Sequence, residues 1–127
     1  MLKKILSLSL ASILGAHAAG NDWMSCLNGA LPISQLSIPG THDSGALLEP
    51  FPGTARTQSL TLDQQLAAGV RFFDIRCNHT NNQFAIFHGP VPQGITFDIV
   101  LLQVNTFLDA NPGETLIMSV KEEFTAS

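Results

Sequence analysis

Residues 69–76 read GVRFFDIR, and this stretch of the sequence decides the fold class. Its β-branched and aromatic side chains predict a strand over 70–76, with apolar residues on both faces as in strands buried within a parallel sheet. Asp74 and Arg76 are two residues apart, so they share one face of that strand. The stretch therefore predicts a buried strand that presents two opposite charges on one side.

The sequence on either side of this strand predicts an alternation of strands and helices. Residues 35–38 alternate like a short strand that stops at a Pro39–Gly40 turn, and Thr61–Gln64 has the form of a capping box that begins a helix ending at Gly69. Later elements are a strand over 84–87, a helix from Thr96 to about residue 111, and a strand over 115–120. The long helix between two strands predicts an α/β fold with a right-handed crossover and parallel pairing.

Length and composition exclude several classes of protein. The chain has 127 residues, whereas a complete (β/α)₈ barrel needs about 250. Hydrophobic residues make up 45% and charged residues 13%, against roughly 25% charged in an average globular chain, so a disordered tail is excluded. The formal net charge of -4 gives no basic patch for nucleic acid. The composition predicts one small folded domain.

The first residues have the layout of a secretory signal. Lys3 and Lys4 precede an apolar run over 5–14, and Ala16–Ala18 is a small-x-small cleavage site. This predicts a signal peptide over 1–18 and a domain over 19–127, secreted to the periplasm or the extracellular space, with no transmembrane segment. A membrane anchor is the alternative, but the run is shorter than the roughly 20 residues that span a bilayer.

Two cysteines leave the redox state open. Export would permit a disulfide between Cys26 and Cys77, but two thiols that are both free fit the sequence equally well.

Residues capable of acid–base or phosphate chemistry stand at the end of each predicted strand: His42, Asp43, Asp74, Arg76, His88 and Lys121. Each has a structural alternative, such as a surface histidine, a loop-capping Asp, an ion pair within a strand or a solvated lysine. In α/β barrels, however, catalytic groups gather at the carboxyl ends of the strands. One histidine can accept a proton while a second donates one, and an arginine can hold two phosphate oxygens at once. Together they predict cleavage of a phosphodiester without a metal ion.

The same stretches resemble a known family. Residues 37–45 (SIPGTHDSG), 69–76, His88–Gly89 and 111–123 resemble four blocks of the bacterial phosphatidylinositol-specific phospholipases C, in the family's order. The resemblance runs from Trp23 to the end of the chain. It implies an α/β fold that is the N-terminal half of a distorted TIM barrel, with about four parallel strands.

The resemblance also implies a role for each histidine. His42 would be the general base that deprotonates the inositol 2-hydroxyl, and His88 would be the general acid that protonates the departing diacylglycerol oxygen. Asp43 would support His88. The implied product is a cyclic 1,2-phosphate.

The remaining site residues would bind the substrate. Arg76 would stabilise the phosphate oxygen where the animal enzymes use calcium, Asp74 would position Arg76 or the substrate, and Lys121 would line the inositol site. No metal and no cofactor are implied. The expected partner is phosphatidylinositol, or a glycosylated derivative, at a membrane surface.

One departure from the family pattern leaves alternatives open. The family places the carboxylate partner of the base histidine late in the barrel, beyond Ser127, so the chain is a fragment or a natural truncation. We expect such a half-barrel to be feebly active and prone to self-association. The alternatives are a secreted, catalytically inactive half-domain that binds lipid or a partner, and a glycerophosphodiesterase, which would normally need a Glu-x-Asp metal pair where the sequence has Asp74 and Arg76.

Overall fold

A computed structural model describes residues 21–123, so the predicted signal peptide over 1–18 lies outside the described residues. The elements are β1 (Gly40–Thr41), α1 (Leu62–Ala67), β2 (Phe72–Thr80), β3 (Gln83–His88), β4 (Val91–Thr96), α2 (Phe97–Ala110) and β5 (Ile117–Glu122), preceded by 3₁₀ turns over Trp23–Cys26 and Ile33–Gln35. No helix within 21–123 is both long enough and apolar enough to cross a bilayer.

Strand β2 is the centre of a curled mixed sheet. It pairs in parallel with β1 on one edge and with β5 on the other, and its far end pairs antiparallel with β3, which pairs antiparallel with β4. Cys77 pairs with both Ile86 and Glu122, so β3 and β5 lie on opposite edges of β2. The predicted α/β half-barrel is confirmed.

Parallel pairing joins three strands, not the four that the sequence predicted. Strand β3 returns antiparallel because Asn81 and Asn82 have φ values of 50° and 60°, as a two-residue hairpin turn requires. The strand after α2 therefore pairs with β2, and not with the strand that was predicted over 84–87.

The strand predicted over 35–38 is wrong. The amides of Gln35 and Leu36 donate to the Pro32 and Ile33 carbonyls and close a 3₁₀ turn there. Sheet pairing begins only at the Pro39 carbonyl, which accepts from the Arg71 and Phe72 amides. Gly40 is not in a turn but pairs with Phe72 in β1, where an added Cβ would lie 3.0 Å from the Phe72 side chain.

Other elements differ from prediction mainly in their bounds. The capping box at Thr61 and Gln64 is confirmed, and Gly69 follows the helix with a φ of 100°. Strand β2 begins later than predicted and extends to Thr80, and β4 was missed because Pro92 argues against a strand.

The hydrophobic core lies between β2 and the two helices. Phe73, Ile75 and Cys77 alternate along β2 toward this core, where they join Ile86 of β3 and other apolar residues from α1 and α2. The alternate residues of β2 point to the inside of the half-barrel. Cys77 is a buried free thiol and Cys26 an exposed one.

Candidate active site

The inner face of the half-barrel carries the charged residues of two adjacent strands. Asp74 and Arg76 of β2 are paired in register with Ser119 and Lys121 of β5. Neighbouring residues in a parallel register point to the same side, so Lys121 faces the same space as Arg76. Glu123, one residue beyond β5, joins them there, because its amide donates to the Cys77 carbonyl and continues the ladder.

In the irregular segment 42–44, each backbone carbonyl accepts a hydrogen bond from a side chain. The carbonyl of His42 accepts from Gln58 Nε2, that of Asp43 from Thr57 Oγ1, and that of Ser44 from Gln65 Nε2. Buried backbone groups outside helices and sheets need such partners. The segment is also fastened to β2, since the Asp43 and Ser44 amides donate to Asp74 Oδ2 and to the Asp74 carbonyl.

His88 reaches this segment because of the hairpin. Strand β3 runs back along β2, so its last residue lies level with the carboxyl end of β1. His88 Nδ1 lies 2.5 Å from Asp43 Oδ2. Asp43 is fully buried and has a φ of 45°, and its second carboxylate oxygen has no hydrogen-bond partner among the described residues.

Arg76 connects the two halves of the site. Its Nε and Nη2 donate to Asp74 Oδ2 at 3.1 and 3.0 Å, and its Nη1 donates to both Glu123 oxygens at 3.1 Å. Its Nε is also 3.8 Å from Asp43 Oδ2. A planar guanidinium can bridge several carboxylates in this way because its donors point in fixed directions.

His42 is the most open member of the site. Its side chain is 64% exposed, and its Nδ1 lies 3.1 Å from Asp74 Oδ2 and 3.3 Å from Arg76 Nη2. Arg76 Nη2 already donates to Asp74. A proton on His42 Nδ1 would be directed at Asp74 and would leave Nε2 as a free acceptor toward solvent.

The electrostatics separate Asp43 from Asp74. Burial raises the pKa of Asp43, although the hydrogen bond to His88 and the charge of Arg76 oppose the rise. Burial acts in the same direction on Asp74, but hydrogen bonds from Arg76 and from the Asp43 amide, together with the Arg76 charge, lower the pKa of Asp74 below its ordinary value. Burial would lower the pKa of Arg76, yet its contacts with Asp74 and Glu123 raise it.

Sequence reasoning missed Glu123. Its carboxylate accepts from Arg76 and from the Gly89 amide, and these contacts, with the nearby charges of Arg76 and Lys121, overcome burial and lower its pKa. Lys121 Nζ lies 3.9 Å from Glu123 Oε2. Because residues two apart share a strand face, the spacing of Lys121 and Glu123 could have indicated it.

All six side chains predicted from the sequence lie at the same end of the sheet. We call them, together with Glu123, the rim cluster: His42, Asp43, Asp74, Arg76, His88, Lys121 and Glu123. The cluster combines two imidazoles that each present Nδ1 to a carboxylate with one guanidinium at the centre. Such a set can take up and deliver protons on either side of an anionic group.

Three members could also hold a cation. Ligand atoms of Asp43, His88 and Glu123 lie within 4.8 Å of one another. In this structure Asp43 Oδ2 contacts His88, and both Glu123 oxygens accept from Arg76. A metal ion would therefore compete directly with the Arg76 guanidinium.

Comparison with protein families and curated sequences gives a consistent result. The family described as "Phosphatidylinositol-specific phospholipase C, X domain" matches residues 30–127. The 1-phosphatidylinositol phosphodiesterase of Listeria monocytogenes is 41% identical over 80% of this chain and 33% of its own length. The protein of the same name from Staphylococcus aureus is 34% identical over 98% of this chain and 43% of its own length.

Solved structures extend the likeness to the fold. The phosphatidylinositol-specific phospholipase C from Listeria monocytogenes superimposes with a TM-score of 0.78 at 37% identity, over 86% of this chain and 40% of that one. The enzyme from Staphylococcus aureus gives a TM-score of 0.78 at 34% identity, over 84% of this chain and 36% of that one. The chain thus spans well under half the length of the proteins it resembles.

Proposed function

Because the chain belongs to the phosphatidylinositol-specific phospholipase C X-domain family, we propose that it acts on phosphatidylinositol, or on a glycosylated derivative, by phosphodiester cleavage. The reaction would release diacylglycerol and inositol 1,2-cyclic phosphate. The observation that carries the proposal is the arrangement of His42, Arg76 and His88 in one network, with a carboxylate behind each imidazole.

The two histidines divide the proton transfers between them. With its Nδ1 proton directed at Asp74, His42 can accept the proton of the inositol 2-hydroxyl at Nε2. That oxygen attacks phosphorus, and the bond to the diacylglycerol oxygen breaks. His88, held at Nδ1 by Asp43, delivers a proton from Nε2 to the departing oxygen. General acid–base catalysis of this kind contributes about 10²–10⁴-fold to a rate.

Arg76 and Lys121 would provide the positive charge for the substrate. The guanidinium lies between the two histidines and would face a non-bridging phosphate oxygen, as fixed donors do where negative charge develops. Lys121 is half exposed and borders the same space, where it would meet inositol hydroxyls. We predict that cleavage needs no metal ion, because Arg76 would supply the positive charge where a bound cation would otherwise lie.

A loop beside the site fits a lipid substrate. Its base is closed where the Thr57 and Gln58 amides donate to the Ala46 carbonyl, next to Asp43. At its tip Phe51 is 71% exposed, and Leu48 is 50% exposed. Apolar side chains of this kind on a loop next to a site favour contact with a lipid surface. Secretion by a signal peptide over 1–18 is part of the same proposal, since the substrate would be met outside the cell.

The test is turnover by the full chain. Mixed micelles of phosphatidylinositol are incubated with the protein in excess chelator, and ³¹P NMR follows the cyclic phosphate. We expect slow cleavage, because the chain spans only 33% and 43% of the length of these two relatives. We expect it to resist the chelator, because Arg76 would supply the positive charge. His42→Ala and His88→Ala should each remove most of it.

His79→Ala is the matched control. His79 lies on the same strand as Arg76, but its ring packs against Phe84, outside the rim cluster. Equal losses in all three histidine variants would contradict the assignment. Binding to phosphatidylinositol vesicles without any turnover would favour the alternative, a catalytically inactive secreted half-domain that binds lipid.

Self-association is measured in the same preparation. Strand β5 pairs only with β2 among residues 21–123, and an unpaired strand edge can pair with a second chain. Sedimentation should show a concentration-dependent dimer or higher species, and a compact monomer at every concentration would remove this part of the proposal.

A further inference from the structure

The residues around His42 and Asp43 contain a polar side chain that the proposed chemistry does not use. Gln65 lies on α1 between Leu62 and Leu66, all three are almost completely buried, and its neighbours on this face of the helix belong to the hydrophobic core. An amide in such a place loses its contacts with water and is stable only if its hydrogen bonds are replaced. Helix packing alone would be served better by an apolar side chain.

Two of the three hydrogen bonds of the Gln65 side-chain amide go to one short segment, residues 41–44. Oε1 accepts from Thr41 Oγ1 at 2.7 Å, and Nε2 donates to the Ser44 carbonyl at 2.8 Å. The second Nε2 proton goes to the Leu60 carbonyl, just before α1, also at 2.8 Å. Thr41 immediately precedes His42, and Ser44 immediately follows Asp43. The Gln65 amide therefore holds the residues on either side of His42 and Asp43. Asp43 is the carboxylate that contacts His88.

Ser44 transmits this constraint to the opposite carboxylate. Its fully buried hydroxyl accepts from the Asp74 amide at 2.9 Å and donates to the Thr41 carbonyl at 3.1 Å. Asp74 is the residue that contacts His42 Nδ1. Gln65, Thr41 and Ser44 form a continuous set of hydrogen bonds beneath both carboxylates, and none of the three is among the rim cluster.

We propose that Gln65 is a positioning residue, which fixes the His42–Asp43 pair relative to Asp74 and His88. The inference rests on the proposed function, because it concerns how the two histidines are held for proton transfer. Gln65 touches neither histidine ring and acts through Thr41 and Ser44. Removing its hydrogen bonds leaves the side chains of the rim cluster present but lets their spacing change, and displacements of about 1 Å can cost on the order of 10²-fold in rate.

Gln65→Met is the main variant, since methionine keeps the length and bulk of the side chain but forms none of the three bonds. Gln103→Met is the matched control. Gln103 donates one hydrogen bond from α2 to Asp63 of α1 at the surface, away from residues 41–44. Both variants replace a helical glutamine whose side chain is hydrogen-bonded to a residue outside its own helix.

The main readout is ¹H–¹⁵N NMR of the imidazole rings, which does not depend on turnover. We expect Gln65→Met to shift and broaden the ring signals of His42 and His88 while leaving those of His79 unchanged, and Gln103→Met to leave all of them as they are. Turnover should fall on the order of 10- to 100-fold in Gln65→Met only. A chain without turnover would refute the proposed function, whereas the ring signals would still decide the role of Gln65.

Two further variants separate positioning from simple loss of folding. Thr41→Val keeps nearly the same shape but removes the hydroxyl that contacts Gln65 Oε1 and Ser44 Oγ, each at 2.7 Å, so it should disturb the same two rings. Gln65→Glu places a carboxylate against the Ser44 and Leu60 carbonyls, and protonation of that carboxylate restores one donor. Its ring signals should therefore approach those of the wild type, compared at equal pH, as pH falls. Unchanged His42 and His88 signals in folded Gln65→Met or Thr41→Val would overturn the proposal.

Discussion

Gly45 gives the sharpest test of how closely the segment carrying Asp43 is packed. A Cβ added at Gly45 would lie 2.8 Å from Ile86 Cγ2. Carbon atoms are in optimal contact at about 3.5–4.0 Å, so the Gly45→Ala methyl overlaps Ile86 by roughly 1 Å. Ile86 cannot move aside freely, because it is fully buried in the core between β2 and the helices.

The magnitude follows from this overlap. Overpacking a filled core costs about 1–3 kcal/mol of folding free energy. For a domain of this size each kcal/mol lowers Tm by roughly 4–8 °C. The change also reaches the site, since Ile86 and His88 lie two residues apart on β3 and Gly45 lies two residues after Asp43. Relief of the overlap should lengthen the contact between His88 Nδ1 and Asp43 Oδ2.

The assay is equilibrium unfolding by denaturant of a double-mutant cycle. Ile86→Leu keeps the volume but moves the branch away from Cβ, so it removes the methyl that meets the new Cβ. We expect the double variant to be more stable than the sum of the single effects predicts, with a coupling free energy of about 0.5–3 kcal/mol.

Gly29→Ala is the control for this cycle. An added Cβ there meets nothing within 4 Å, so its effect on stability should stay within about 0.5 kcal/mol. If Gly45→Ala is as stable as Gly29→Ala, or if its effect is simply additive with Ile86→Leu, then the segment is not packed against β3 as described.

Three further changes test other parts of the structure. Thr61→Ala should lower the free energy of unfolding by about 1 kcal/mol, because it removes the side chain that caps α1, and denaturant midpoints measure this. The pKa of Asp74 is lowered in the folded state, so its ionised carboxylate stabilises the fold above the unfolded pKa of about 3.9, and this stabilisation is lost as pH falls below that value. In Asp74→Asn the free energy of unfolding, measured against pH, should therefore fall less steeply in acid. Cys26 is exposed whereas burial raises the pKa of Cys77, so iodoacetamide should modify the native chain at Cys26 first, as mass spectrometry would detect.

The sequence was most informative where local chemistry acts over a few residues. The capping box at Thr61 and the charged pair on β2 were predicted because the spacing alone sets a helix start and a strand face. The predicted strand over 35–38 failed because alternation of polar and apolar residues is also compatible with a 3₁₀ turn, whose hydrogen bonds form locally. The real first strand is only Gly40–Thr41 and exists because β2 pairs with it.

The meeting of the site residues could be predicted only in part. His88 was expected at the carboxyl end of a parallel strand, but it arrives at the end of an antiparallel one because β2 extends past β1 and the hairpin brings the chain back. A reading of Asn81–Asn82 as a turn with positive φ would have predicted this. The role of Gln65 had no local signal, since its partners lie 5, 21 and 24 residues away.

The donors of Arg76 limit how phosphate can bind. A guanidinium has five N–H groups, and those of Arg76 donate to the Asp74 and Glu123 carboxylates. A phosphate that takes two of these donors at once must replace one of the two carboxylates. Each carboxylate also accepts from a backbone amide, Asp74 from Asp43 and Glu123 from Gly89, but Glu123 has Lys121 Nζ within 3.9 Å as a second cation. We therefore expect Glu123 to be the partner that gives way.

Charge balance then connects the proposed substrate binding to His88, the histidine proposed as the general acid. The rim cluster holds three carboxylates against the charges of Arg76 and Lys121, so with both imidazoles neutral it carries one excess negative charge. That charge opposes a phosphodiester, which is itself an anion. Protonation of His88, the histidine whose Nδ1 faces the fully buried Asp43, removes the excess and supplies the proton that the departing oxygen needs. In the proposed reaction, the protonation state that favours binding of the phosphodiester is thus the same one that the cleavage requires.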